Sequence, residues 1–285
     1  MRADLFTLGA IVLWASLASL ATLLSDIPPF LLTGIGLIIG AMVSLPSLRS
    51  GLTPWKIPLK TLLIGVYGLF GYHFMLFLAL QTAPAVEANL VNYLWPLLIV
   101  LLSPIFTKSL SLNFRYVLAA ISGFAGAVIA ITYNGSGLGS FSIEIGYLFA
   151  LAAAVIWATY SLATTKVPSF PTPAIGLFAL VSGVLAIGAH FIFEPAASIS
   201  TADWLLLLVL GVGPLGGAFY LWDAALKIGD PRRIGLLAFL TPLLSTALLV
   251  VISGDSLSWQ LLLATGLIVG GALLGPRASS GSKTN

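Results

Sequence analysis

The segment Val12-Leu13-Trp14-Ala15-Ser16 recurs 143 residues later as Val155-Ile156-Trp157-Ala158-Thr159. A second pair of segments, Tyr93-Leu94-Trp95-Pro96 and Phe239-Leu240-Thr241-Pro242, is separated by 146 residues. Apolar sequences resemble one another through composition alone, but tryptophan and proline at matched positions are a more specific signal than matched leucines. The two matches therefore predict that the chain consists of two related halves.

The composition indicates that both halves lie mostly in lipid. Of the 285 residues, 59% are hydrophobic and 7% are charged, whereas an average soluble domain is about a quarter charged. Apolar runs long enough to cross a bilayer, at about 20 residues each, predict an all-α polytopic membrane protein with ten transmembrane helices. The predicted spans are Leu5–Leu24, Pro29–Leu45, Leu59–Leu80, Ala85–Phe106, Phe114–Tyr133, Ile145–Thr164, Pro173–Phe193, Trp204–Leu226, Ile234–Ile252 and Leu257–Gly275.

The basic residues predict the orientation of these spans. All twelve fall at the termini or in alternate loops: Arg2, Arg49, Lys56, Lys60, Lys108, Arg115, Lys166, Lys227, Arg232, Arg233, Arg277 and Lys283. The opposite loops contain acidic residues and no basic ones: Asp26, Glu144, Glu194, Asp203 and Asp255. By the positive-inside rule, both termini are cytoplasmic.

Each half is predicted to have five spans. Because five is an odd number, the second half enters the membrane from the opposite face. The expected organisation is an inverted repeat of residues 1–137 and 138–275, followed by a disordered cytoplasmic tail over residues 276–285. Many secondary transporters are built on inverted repeats.

These features resemble the drug/metabolite transporter superfamily, and in particular its EamA-type members. The resemblance rests on the five-plus-five spans, a Trp-Ala-Ser/Thr in the first helix of each half and a Leu-x-Pro in the fourth. The aromatic content of the middle spans is similar to that of the aromatic amino acid exporters of the YddG kind. The resemblance implies a multi-pass protein of the bacterial inner membrane that exports small metabolites through a central cavity between the halves.

The fourth span contains the most polar stripe. Asn89, Asn92, Tyr93 and Pro96 share one helix face, and a lipid-facing stripe of this kind would be costly. The stripe therefore faces either a substrate cavity or a neighbouring helix, where the amides would serve as inter-helix hydrogen bonds. Pro96 and its counterpart Pro242 could kink their helices at a gating position, or could be purely structural.

Aromatic residues at mid-depth form a second group of candidates. Trp14, Trp95 and Trp157 lie mid-span, with Tyr72 and Tyr93 nearby in sequence, and Tyr160 one turn after Trp157. Together they could line a pocket for a flat apolar group, although packing is the ordinary role of any single ring.

Three ionisable residues within spans, His73, Glu87 and Asp223, leave a functional and a structural interpretation open. His73 could bind a substrate carboxylate, carry a proton or be a satisfied structural histidine. Glu87 could be a proton or coupling site, yet it falls in the first helical turn after Pro84, where the helix dipole favours a carboxylate. Asp223 precedes Lys227 by one turn, which predicts an ion pair.

Features that the sequence lacks narrow the range of possible functions. No Lys or Arg lies deep within a span, which disfavours phosphate-bearing substrates such as nucleotide sugars. Motifs of intramembrane proteases and the phosphate-binding G-K-[ST] are absent from the sequence, so neither an enzyme nor a directly ATP-driven pump is indicated. The sequence contains no cysteine. It predicts no cofactor, no metal site, no nucleic-acid partner and no obligatory protein partner. The expected partners are a small-molecule substrate, an amino acid, and the lipid bilayer.

The leading hypothesis is a secondary transporter that exports small neutral metabolites, chiefly aromatic amino acids, by alternating access. Trp14, Trp95, Trp157, Tyr72 and Tyr93 would contact the ring, with Tyr160 beside them. His73, Asn89 and Asn92 would contact the polar end. The alternative is a proton-coupled exporter of aromatic cationic drugs, with Glu87 as counter-charge.

Overall fold

A computed structural model describes residues 1–49, 51–108, 110–132, 144–253 and 259–274, and every regular element within them is helical. Eight of these helices are long and apolar enough to cross a membrane. They are α1 (Arg2–Leu23), α2 (Pro29–Leu48), α3 (Leu59–Thr82), α4 (Ala85–Phe106), α5 (Phe114–Thr132), α6 (Ile145–Ala163), α7 (Thr172–Phe193) and α8 (Thr201–Ile228). The predicted boundary at residues 137 and 138 and the predicted disordered tail over residues 276–285 lie outside the described residues.

Two further helical elements follow in the described part of the chain. The first, α9, consists of Pro231–Ala238 and Leu240–Ser253, separated by a break at Phe239. The second, α10 (Trp259–Leu274), is an apolar helix of 16 residues. These elements occupy the sequence of the predicted ninth and tenth spans, and the structure is that of a polytopic membrane protein.

Helical interruptions recur at matched positions along the chain. A π-helical segment interrupts α3 at Tyr67–Gly71, and another interrupts α8 at Gly213–Gly217, 146 residues later. In the same way, α4 breaks at Tyr93 and α9 breaks at Phe239. The helical segments that precede these two breaks also match in length, since Ala85–Asn92 corresponds to Pro231–Ala238.

Two close-packed helix pairs join residues 1–132 to residues 144–274. In the pair α2 and α7, a Cβ added at Gly183 would lie 2.8 Å from the Gly34 carbonyl oxygen. In the pair α5 and α10, a Cβ at Gly271 would lie 2.7 Å from the Ala119 carbonyl oxygen, and Ser122 donates a hydrogen bond to the Leu267 carbonyl at 2.8 Å. Small residues allow such close approach, which is the main source of helix association in lipid.

Glu194 at the end of α7 fixes the start of α2. Its carboxylate accepts the backbone N–H groups of Phe30 at 2.7 Å and Leu31 at 3.2 Å. His190 contacts the same carboxylate through Nδ1 at 2.9 Å. The acidic cap meets the free amides of the first helical turn, so these two helices are held together at this end of the bundle.

The largest cluster of buried apolar residues includes the junction of α1, α4, α6 and α8. Helix α1 packs along the second segment of α8, Ala218–Ile228, and α6 packs along the second segment of α3, Tyr72–Thr82. The side chains at this junction are aromatic, and they form the centre of the candidate site.

Candidate substrate site

Four tryptophans, one from each of α1, α4, α6 and α8, form a single cluster. The centroid of the Trp14 ring lies 5.2 Å from that of Trp222, 5.7 Å from that of Trp157 and 6.3 Å from that of Trp95. Trp95 and Trp222 are 5.6 Å apart with their planes at 84°. Edge-to-face pairs of this kind each contribute about 0.5–1.5 kcal/mol beyond the area they bury.

The cluster is closely packed. Trp95, Trp157 and Trp222 are all buried, while Trp14 is half-buried. The three predicted mid-depth tryptophans are therefore in mutual contact, and the space between their rings is filled by the rings themselves. A ligand would have to contact the margin of the cluster, which Trp14, Tyr72 and Tyr93 reach with partly exposed side chains.

Trp222 is the member of the cluster that sequence reasoning missed. Its indole Nε1 donates a hydrogen bond to Ser161 Oγ at 3.1 Å, and both side chains are buried. This bond satisfies a group that would be costly to leave unpaired in a membrane interior. Phe219 one turn earlier shares its face and contacts Trp14 and Trp157, and that aromatic spacing was the available signal.

A polar group lies directly against this cluster. The Tyr72 ring is 5.2 Å from that of Trp157, and its hydroxyl accepts a hydrogen bond from Asn92 Nδ2 at 3.2 Å. The side-chain oxygen of Asn92 is buried and has no hydrogen-bond partner among the described residues. Tyr72 therefore connects the aromatic cluster to an amide that retains unused hydrogen-bonding capacity.

His73 is buried beside Tyr72. Its Nδ1 donates to the Leu69 carbonyl at 2.6 Å, which leaves Nε2 as the other polar atom of the ring. The Leu69 carbonyl belongs to the π-helical segment, a type of interruption that is frequent at functional sites. The interruption and the imidazole are thus coupled by one hydrogen bond.

Tyr160 extends the cluster along α6. Its ring lies 5.3 Å from that of Trp157, and Gly68 of the π-helical segment packs against it without space for a Cβ. The glycine is required here because any larger residue would displace the tyrosine ring.

Asn89, one turn before Asn92, is half-buried.

Pro96 and Pro242 are both buried, and each lies three residues after its helix break. Each proline lacks the N–H that would bond the carbonyl four residues earlier. Pro104, also in α4, offers a contrast, because the Val100 carbonyl that it leaves free accepts a hydrogen bond from Ser103 Oγ at 2.9 Å. The gating role of Pro96 and Pro242 stays a prediction.

Glu87 is buried in the first turn of α4, away from the cluster. The predicted ion pair is confirmed at the opposite end of the bundle, where Lys227 Nζ lies 2.5 Å from Asp223. Lys227 also donates to Thr172 at 3.1 Å and lies 4.1 Å from the centre of the Phe170 ring.

The described residues contain no group of three acidic or histidine side chains that could hold a metal ion.

Comparison with known proteins places this arrangement in a family. The model of the EamA-like transporter family matches residues 1–132 and 144–275. An aromatic amino acid exporter YddG of Ancylobacter novellus is 42% identical over 275 residues, with 95% of each chain covered. The exporter of the same name from Escherichia coli is 28% identical, with 96% of each chain covered. A solved crystal structure of a protein 42% identical to the chain, with 95% of each chain covered, has a TM-score of 0.90.

Proposed function

The chain belongs to the EamA-like transporter family, and on that premise we propose that it is a secondary transporter that exports aromatic amino acids and related small neutral metabolites. In this proposal the protein resides in the bacterial inner membrane. The relatives named aromatic amino acid exporters support the substrate class. Membership of a transporter family favours transport over catalysis.

The proposed mechanism is alternating access through a cavity between two inverted repeats of five spans. It is supported by the separate matches of the family model to residues 1–132 and 144–275. It is also supported by the helical interruptions that recur 146 residues apart in α3 and α8 and in α4 and α9. The end of the bundle that holds Arg232 and Arg233 is cytoplasmic in this proposal, together with both termini.

The observation that carries the substrate class is the position of Tyr72 between the tryptophan cluster and Asn92. An aromatic amino acid has a flat apolar ring next to an ammonium and a carboxylate group. The margin of the cluster offers aromatic faces for the ring, while Asn92 and His73 offer polar atoms for the charged end. No Lys or Arg side chain is needed, because the two charges of the substrate offset each other.

Uptake into liposomes tests this proposal directly. Purified protein is reconstituted and the entry of radiolabelled phenylalanine is compared with that of alanine, leucine and a nucleotide sugar, with and without a pH gradient. We expect saturable phenylalanine uptake that exceeds uptake of the other three and does not require the gradient. Absence of amino acid uptake under every gradient would overturn the proposal.

The Glu87→Gln variant separates the proposal from export of cationic drugs. An aromatic amino acid exporter of the proposed kind retains phenylalanine uptake when this carboxylate is neutralised. A proton-coupled exporter of aromatic cations would instead transport a cationic dye only under a pH gradient, and Glu87→Gln would abolish that transport. The second pattern would replace the amino acid proposal.

A further inference from the structure

One end of the bundle is closed by an ion pair between residues distant in sequence. Arg233 Nε lies 2.7 Å from Asp4 Oδ1, and Arg233 donates a second hydrogen bond to Asp4 Oδ2 at 3.3 Å. The two side chains are 28% and 25% exposed. The pair joins the first turn of α1 to the first turn of α9, and so connects the two segments that the family model matches separately.

The backbones beside this ion pair are in close contact. A Cβ added at Gly229, just before α9, would lie 2.7 Å from the Cβ of Ala3. Such an approach packs the start of α1 directly against the turn that connects α8 to α9.

The opposite end of the bundle has a close approach of two helix starts at the equivalent position. Glu87 in the first turn of α4 is 8% exposed, and Tyr147 lies in the first turn of α6. A Cβ added at Gly146 would lie 2.5 Å from the Cβ of Ala83, which directly precedes Pro84 and α4. Here too, polar side chains on the first turns of two helices lie beside a close approach of those helices.

The two contacts occupy equivalent positions in the chain. Glu87 is the third residue of Ala85–Asn92, and Arg233 is the third residue of Pro231–Ala238, 146 residues later. Asp4 and Tyr147 are the third residues of Arg2–Ala15 and Ile145–Ala163. Ala83 and Gly229 each lie two residues before the helices that carry Glu87 and Arg233. The correspondence involves four side chains and two backbone contacts, so it is a property of the repeat and not of one loop.

We propose that these contacts are the two gates of the translocation path: Asp4 with Arg233 closes one mouth, and Tyr147 with Glu87 closes the other. This inference rests on the proposed transport function and on the inverted repeat. With both contacts formed, the substrate site is enclosed, in agreement with the burial of His73 and Asn92. Opening one mouth breaks its own contact and leaves the other intact.

This role differs from both earlier interpretations of Glu87. The carboxylate holds a gate closed through a neighbouring helix, so it need not carry a proton during transport. The two gates also differ in chemistry, since one is an ion pair and the other joins a carboxylate to a phenol.

The cysteine-free sequence allows a direct test of the gates. Tyr93→Cys places a single thiol at the break of α4, and a small membrane-impermeant thiosulfonate reports its accessibility from either side of sealed vesicles. In this background, Asp4→Asn and Arg233→Gln should each raise the labelling rate from the Arg233 side roughly two- to fivefold and lower it from the other side, since a partly exposed ion pair biases a two-state equilibrium by about that factor. The exchanged pair Asp4→Arg with Arg233→Asp should return the ratio towards that of the parent.

Variants of the other gate should give the reverse shift. Glu87→Gln and Tyr147→Phe should raise labelling from the Glu87 side and lower it from the Arg233 side. Arg49→Gln, which removes an exposed basic residue outside the contact, is the matched control and should leave the ratio unchanged. A labelling ratio unaltered in all four gate variants, or altered equally in Arg49→Gln, overturns the gates.

Failure of the gate proposal can be distinguished from failure of the proposed transport function. The distinguishing measurement is phenylalanine uptake by the protein that carries no gate substitution. Normal uptake with unaltered labelling ratios refutes the gates and leaves the transport proposal intact. Absence of uptake refutes the amino acid proposal, while the labelling ratios still decide whether the two contacts control access to Tyr93→Cys. If Arg233→Gln does not fold, Asp4→Asn and Tyr147→Phe test one gate each.

Discussion

The helices α3 and α4 have the same interruptions as α8 and α9 but carry different side chains. Five polar or aromatic residues of the first pair correspond, at the spacing of 146 residues, to small or apolar residues of the second. Tyr72, His73, Asn89, Asn92 and Tyr93 correspond to Ala218, Phe219, Gly235, Ala238 and Phe239. The backbone is repeated, whereas the chemistry of the site is not.

This difference indicates how a symmetric scaffold could bind an asymmetric molecule. An aromatic amino acid has one polar end and one apolar end, so a cavity with equal halves would match neither. In the proposed transporter, the polar end faces α3 and α4, and the ring faces Phe219 and the tryptophan cluster. Each of the following substitutions tests this division by replacing a residue in one half or by comparing matched positions in both.

The largest effect is expected for Trp222→Leu, which introduces the leucine found at the corresponding position, Leu76. The variant loses ring contacts with Trp14 and Trp95 and the hydrogen bond to Ser161. By analogy with truncation of buried aromatics, the loss of stability should be about 2–4 kcal/mol. Thermal unfolding in detergent measures it, with Trp204→Leu as the control because Trp204 is exposed at the start of the same helix. Equal losses in the two variants would contradict a structural cluster.

Asn92 in the first half corresponds to Ala238 in the second half, so Asn92→Ala makes the two positions identical. The unused oxygen of Asn92 and its hydrogen bond to Tyr72 disappear. Loss of a hydrogen bond to a charged group costs about 1.5–3 kcal/mol, so phenylalanine kcat/KM should fall roughly 10- to 100-fold with little change in thermal stability.

Gln81→Ala removes an exposed amide at the end of α3 and should transport normally. The reciprocal substitution Ala238→Asn should not restore uptake to Asn92→Ala, because the polar end of the substrate is proposed to face the first half. Full activity of Asn92→Ala would remove the basis for assigning the polar end to α4.

His73→Phe introduces the residue of the corresponding position, Phe219, and removes the hydrogen bond to the Leu69 carbonyl. We expect phenylalanine uptake to fall roughly tenfold, in line with the loss of one or two neutral hydrogen bonds. His73→Asn keeps a donor for the Leu69 carbonyl but lacks the Nε2 atom that is proposed to contact the substrate, so its uptake should lie between that of the parent and that of His73→Phe. Uptake assays on the two variants decide between a polar role and simple packing, and equal uptake by both would favour packing.

Much of the fold could be predicted from sequence because lipid imposes simple rules. The predicted span Ala85–Phe106 coincides with α4, and the predicted start of the third span, Leu59, coincides with the start of α3. Prolines and polar turns mark these boundaries in the sequence itself. The positions of the helix breaks in α4 and α9 follow from Pro96 and Pro242 in the same manner.

The parts that sequence reasoning missed depend on how helices meet. The sequence predicts no role for Trp222, because only the packing of α1 against α8 brings it to Trp14. The π-helical segments change the helical register by one residue, which hydrophobic periodicity does not record. The contact between Asp4 and Arg233 likewise depends on the approach of two helix ends that are far apart in the chain.

The smallest effect is expected where the two halves are alike. Pro96→Ala and Pro242→Ala each restore a backbone amide after a helix break, which should favour a straighter helix and slow the conformational change. Because the breaks are matched, both variants should lower the maximal uptake rate by a similar factor, on the order of two to five, with little change in KM. Pro104→Ala is the control, since Ser103 already bonds the carbonyl that Pro104 leaves free. If one of the two variants is inactive and the other normal, the breaks differ in function, and the symmetry of the backbone does not extend to its motion.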